Sequence, residues 1–87
     1  MFIVDDGSND GSGILLNKIK DKRVTILKNK VNRGLAYSLN KAISLCDAEL
    51  IARVDSDDIQ HIDRLENQVI YMKENPKVDL LCSAAYI

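Results

Sequence analysis

The 87-residue chain carries 12 basic and 13 acidic side chains, and its formal net charge of −1 gives it no bulk attraction to nucleic acid or an anionic membrane. With 46% hydrophobic and 29% charged residues it has the composition of an ordinary globular domain, and no apolar run approaches the roughly 20 residues that span a bilayer. So short a chain has room for one small core, buries about 60–65% of its unfolded surface, and is marginally stable by itself.

The opening Met1-Phe2-Ile3-Val4-Asp5-Asp6 has neither the basic start nor the long apolar stretch of a signal peptide. A cytoplasmic location follows as the expectation, either for the chain as it stands or for the cytoplasmic part of a larger, membrane-associated protein. Cys46, Cys82 and His61 form no CxxC or Cys/His cluster, so the two cysteines are expected as free thiols rather than zinc ligands.

Phe2-Ile3-Val4 is a short apolar run that stops at Asp5-Asp6-Gly7-Ser8, the pattern of a buried strand leaving a sheet into a loop. Asp10 or Ser12 is placed to cap a following helix whose Leu15, Leu16 and Ile19 turn inward. Arg23–Leu27 reads as a second strand and residues 28–34 as a polar connector. Leu35, Leu39, Ala42, Ile43 and Cys46 recur at helical spacing, the clearest amphipathic helix in the chain, ending near Asp47. Leu50–Val54 reads as a third strand running into Asp55-Ser56-Asp57-Asp58. Ile62, Leu65, Val69 and Met72 mark a third helix, closed by Asn75-Pro76, and Val78–Cys82 reads as a fourth strand.

Strands and helices that alternate at this spacing predict an α/β fold, a mostly parallel sheet flanked by helices, with residues 1–87 as one partial domain. Ligands of such sheets bind at the C-terminal ends of the strands. Both acidic segments, 5–8 and 55–58, are expected at that end. Clustered carboxylates are costly unless a cation or hydrogen-bonding ligand satisfies them, and carboxylate oxygens suit Mg²⁺ or Mn²⁺. Asp55 and Asp57 are two residues apart, so in extended backbone they share a side. One can hold a metal while the other reaches a hydroxyl or a metal-bound water. The plainer alternative makes these residues solvated turn and cap positions.

Two other motifs fit poorly. Asp6, Ser8, Asp10 and Gly11 follow the first half of an EF-hand loop, but its twelfth position is Asn17, where a bidentate Glu is required. A haloacid-dehalogenase-like Asp-x-Asp site wants Thr or Val two residues past the second Asp, and Asp57 is followed by Asp58-Ile59.

Three segments in this order resemble the nucleotide-binding half of an inverting family 2 glycosyltransferase of the GT-A type, as found in bacterial surface-polysaccharide synthesis. They are Ile3–Asp10, Asn32–Ile43, and Ile51–Asp58 with Arg64-Leu65 downstream. The resemblance implies a Rossmann-like fold and sugar transfer from a nucleotide-diphosphate sugar, usually a UDP-sugar, to a saccharide acceptor. By matching position, Asp6 would accept a hydrogen bond from the base ring and Asp5 would be more structural. Asp55 and Asp57 would be the family's DxD. In it Asp57 binds Mn²⁺ or Mg²⁺, and Asp55 contacts ribose or a metal-bound water. Gly34 would admit the backbone close to the nucleotide. Asp58 matches a common acid of the family, as a helix cap or part of the ligand shell. The chain departs from the family pattern at Ser38, near which many members carry Arg. Arg33 and Arg53 are the nearby cations.

The resemblance also implies an earlier strand and a later acceptor half bearing the Asp or Glu catalytic base. No residue here matches that base, so the chain is expected to be a fragment, inactive in transfer by itself, with an open sheet edge that favours homo-oligomers. The competing expectation is a non-catalytic nucleotide-binding or assembly module.

Overall fold

The computed structural model describes residues 1–84. Residues 1–47 and 48–87 cluster as two compact units.

The first unit is built on two parallel strands. β1 (Phe2–Asp5) and β2 (Thr25–Lys28) pair in the register Phe2↔Thr25 through Asp5↔Lys28. Apolar and β-branched side chains at Ile3, Val4, Ile26 and Leu27 favour this pleated, half-buried arrangement. The pairing extends past both ends: Thr25 N–H donates to the Met1 carbonyl at 2.8 Å and Asn29 N–H to the Asp5 carbonyl at 2.9 Å. Parallel pairing requires a crossover, which contains α1 (Ser12–Leu16). It also puts the loop that follows β1 and the loop that follows β2 at the same end of the sheet.

α1 is shorter than expected, and Leu15 and Ile19 are exposed rather than inward. A single turn is too short to present an apolar stripe. Its N-cap is Gly11, although Asp10 Oδ1 accepts the Ser12 N–H at 3.0 Å and so steadies the entry.

α2 (Leu35–Ile43) lies against β1. Leu39, Ala42 and Cys46 are half-buried as their spacing predicts, but Leu35 and Ile43 are exposed and the buried position is Ser38.

The second unit contains α3 (Arg64–Glu74), closed as expected: Asn75 Nδ2 donates to the Tyr71 carbonyl at 2.8 Å and Pro76 follows. The strands expected at Leu50–Val54 and Val78–Cys82 do not form among the described residues. A strand exists only by pairing, and the described sheet consists of β1 and β2. Side chains take some of these backbone and polar groups instead. The Arg53 carbonyl accepts from Arg64 Nη2 at 3.1 Å, and Ser83 Oγ accepts from Gln68 Nε2 at 2.6 Å. Ile62 precedes the helix and is 92% exposed, and Leu65 is also exposed, while Met72 is half-buried. Residues 85–87, expected just after the fourth strand, lie outside the described residues.

The fold is therefore α/β, with a parallel sheet and flanking helices, but on fewer strands than expected. No large hydrophobic side chain among the described residues is buried; the buried residues are Asp5, Asn29 and Ser38. Among the described residues no helix is long and apolar enough to cross a membrane.

Candidate functional site

β1 ends by delivering two carboxylates with different surroundings. Asp5 is 8% exposed and its Oδ1 accepts the Ser8 N–H at 2.9 Å, folding the acidic loop back on itself. Hydrogen bonding from the Ser8 hydroxyl and N–H holds its carboxyl below the ordinary aspartate value.

Asp6 reaches across to the other loop. Its Oδ1 accepts from Asn29 Nδ2 at 2.7 Å and from the Arg33 N–H at 2.8 Å, and its Oδ2 accepts the Gly34 N–H at 2.8 Å. The Asn29 amide, followed by the Arg33 N–H, holds this carboxyl too below its ordinary value. Asp6 is thus an ionised carboxylate at neutral pH whose orientation is set by donors from β2's exit and the entry to α2. Of its two oxygens Oδ2 is the less engaged. The structure brings Asp6 and Gly34 into direct contact, with Asp5 just before Asp6 at the end of β1.

Two glycines make this approach possible. Gly7 has φ +77°, and a Cβ there would lie 2.7 Å from both the Asn32 nitrogen and the Val31 carbonyl carbon, so the two loops meet backbone to backbone. Gly34 has φ 87° and ψ 163°, a region essentially closed to side-chain-bearing residues, and from it the chain turns into α2 with its N–H aimed at Asp6.

Beneath the Asp6 contacts lies a buried polar cluster. Asn29 donates one amide N–H to Asp6 and the other to Ser38 Oγ at 2.9 Å. Its oxygen accepts from Lys41 Nζ at 2.8 Å, and the same ammonium donates to the Lys28 carbonyl at 2.9 Å. Beside the cluster runs a groove of about 310 Å³ walled in part by Val31, Arg33, Tyr37 and Lys41. The Arg33 guanidinium stacks 4.5 Å above the Tyr37 ring. Among the described residues neither Arg33 nor Lys41 forms a salt bridge with a carboxylate.

In the second unit, Asp55 is held by its neighbour. Arg53 Nε donates to Oδ1 at 3.0 Å, and Arg53 Nη2 lies 2.9 Å from each carboxylate oxygen. The pair is about half exposed and so contributes little stability. The Asp58 N–H donates to the Asp55 carbonyl at 3.2 Å, closing a turn over the Asp-Ser-Asp segment. Asp57 is exposed and makes no hydrogen bond among the described residues. Arg64 anchors the approach to this turn through the Arg53 carbonyl, Gln68 and Gln60.

The donor set at Asp55 and Asp57 is hard oxygen, which suits Mg²⁺ or Mn²⁺. No group of three or more potential ligand side chains forms among the described residues. A site of one or two carboxylates completed by substrate phosphates is the usual arrangement for Mg²⁺, and two aspartates by themselves fall short of a self-sufficient one.

Asn29 and Lys41 carry no expected role in the sequence, and Ser38 stands out there only as a departure from the family pattern. Local signals mark Asn29 and Ser38. Asn29 immediately follows β2 at the C-terminal end of the strands, as Asp6 follows β1. Ser38 is a small polar residue set into the apolar stripe of α2, and a polar residue on a buried face needs a partner.

The profile described as Glycosyl transferase family 2 matches residues 1–87. The chain is 42% identical to the bifunctional glycosyltransferase pgtA of Dictyostelium discoideum, over 93% of this chain and 11% of that protein. It is 37% identical to WfaP of Escherichia coli, named a UDP-Glc:alpha-D-GlcNAc-diphosphoundecaprenol beta-1,3-glucosyltransferase, over 100% of this chain and 34% of that protein. With the putative teichuronic acid biosynthesis glycosyltransferase TuaG of Bacillus subtilis it shares 37% identity over 85% of this chain and 30% of the relative. It thus spans between 11% and 34% of the length of these relatives. No solved structure matches the chain significantly. With the profile matched over its whole length, the chain belongs to glycosyl transferase family 2.

Proposed function

We propose that this chain supplies the donor-nucleotide part of an inverting glycosyltransferase that moves a sugar from a UDP-sugar to a saccharide acceptor in surface-polysaccharide synthesis. The observation that carries the reading is the family match over residues 1–87. Two of its relatives, WfaP and TuaG, are named for transfer to a diphosphoundecaprenol-linked sugar and for teichuronic acid biosynthesis, which supports the substrate class.

In this reading Asp6, oriented by Asn29, Arg33 N–H and Gly34 N–H, presents Oδ2 to the base ring of the nucleotide. Asp5 shapes the loop that holds it. Gly34 keeps the opposite wall free of a side chain. Asp57 would hold Mn²⁺ or Mg²⁺, and Asp55, released from Arg53, would contact ribose or a metal-bound water. When bound, a divalent ion supplies Lewis-acid stabilisation of the diphosphate leaving group. The base that takes the proton of the acceptor hydroxyl is assigned to no residue of this chain.

Titration with UDP, with and without Mn²⁺, followed by a donor-hydrolysis assay tests the reading. Metal-dependent UDP binding that Asp57→Ala weakens by about tenfold or more is the expected result. Metal-dependent binding unchanged in Asp57→Ala overturns the metal assignment. Binding without hydrolysis limits this chain to donor binding.

A further inference from the structure

Asn29 occupies an unusual place in this molecule. It is 8% exposed, whereas every large hydrophobic side chain among the described residues is at least partly exposed, and each of its amide groups has a partner. The partners form a line across the fold. The Lys41 ammonium sits against the amide oxygen, and the amide nitrogen faces the Asp6 carboxylate. An amide between a cation and an anion is polarised by both, and each of the two hydrogen bonds strengthens the other. The second amide N–H is fixed by Ser38 Oγ, which stops the amide from rotating or flipping. Lys41 is in turn placed by the Lys28 carbonyl, on the last residue of β2. Reversing the amide would set its oxygen against the carboxylate and its nitrogen against the ammonium, so the charges themselves fix its orientation.

We propose that Lys41 and Asn29 are positioning residues for Asp6: the ammonium acts through the amide to fix the carboxylate that the nucleotide base meets. The proposal deepens the donor-site reading and rests on it for the identity of the ligand. The positioning itself rests on geometry within residues 1–47. A purely structural role for Lys41, as a surface cation tying α2 to β2, would leave the Arg33 and Gly34 amides where they are. A positioning role would not, because those two N–H groups bond to the same carboxylate.

The test uses the full chain in four variants: Lys41→Met, which keeps the aliphatic stem, Lys41→Arg, which keeps the charge, Asn29→Ala, and Lys22→Met as an exposed control with the same loss of charge. The readouts are the amide proton resonances of Arg33 and Gly34 and the UDP affinity in the presence of Mn²⁺. Lys41→Met and Asn29→Ala are expected to shift both resonances upfield and to weaken UDP binding about tenfold. In Lys41→Arg both readouts recover most of the wild-type value, and in Lys22→Met neither changes. Should Asn29→Ala fail to fold, Lys41→Met on a half-buried side chain still decides. Resonances unmoved by Lys41→Met overturn the proposal, whether or not UDP binds. Resonances that move in a chain with no UDP affinity uphold the positioning and defeat the donor-site reading.

Discussion

Asp6 and the two glycines near it set how the loops after β1 and β2 meet. Gly34 has open space where a Cβ would stand, but its backbone is in a region that side chains avoid. Gly34→Ala is therefore expected to cost about 1–3 kcal/mol through backbone strain alone. Gly7→Ala meets strain of roughly 1–2 kcal/mol from its positive φ and, in addition, backbone atoms of residues 31 and 32 at 2.7 Å. Urea denaturation of the two variants should place Gly7→Ala as the less stable; the reverse order would mean that the loops part easily. The lowered carboxyls of Asp5 and Asp6 also make stability depend on pH. The stabilisation they give is fully present above the ordinary aspartate range near pH 4 and is lost as pH falls through their lowered folded-state values. Circular dichroism should show the folded signal falling as the pH drops below the ordinary aspartate range near 4. In Asp6→Asn the Asp6 part of this dependence should vanish, leaving a shallower acid transition.

At the scale of elements, the sequence told more about where chains turn than about what packs. The ends of β1 and β2, the start of α2 and the stop at Asn75-Pro76 all lie close to where composition puts them, because Asp, Gly, Asn and Pro act locally. The strands expected at Leu50–Val54 and Val78–Cys82 failed for the opposite reason: an apolar β-branched run states a capacity to pair, and pairing depends on a neighbour that local sequence does not specify. The site divides in the same way. Asp6 and Gly34 were legible from motif position, whereas Asn29 and Lys41 are ordinary in sequence and acquire a role only when the β2 exit meets α2. Ser38 gives a direct check on that meeting. Ser38→Ala removes a buried hydroxyl and leaves one Asn29 N–H without its acceptor, a loss of about 1–3 kcal/mol. Thermal denaturation measures it; a change below a few tenths of a kcal/mol would mean that the cluster does not hold α2 in place.

For the molecule as a whole, the absence of any buried hydrophobic side chain among the described residues is the dominant physical fact. Area removed from water sets both the stabilisation and the steepness of unfolding. The 87-residue polypeptide is therefore expected to unfold in urea over a broad range, with a slope at or below about 1 kcal/mol per molar, and a sharp transition would contradict the burial described here. Ligand binding should then stabilise it measurably, since a ligand that binds the folded form shifts the balance by mass action. That coupling bears on the proposed binding of a nucleotide diphosphate through the Asp6 carboxylate. The most direct measurement is calorimetric titration of UDP, with Mn²⁺ present, into the wild-type chain and into Asp6→Asn. Saturable binding to the wild type and at least about tenfold weaker binding to the variant are expected. Equal affinity for the two would contradict the proposed binding.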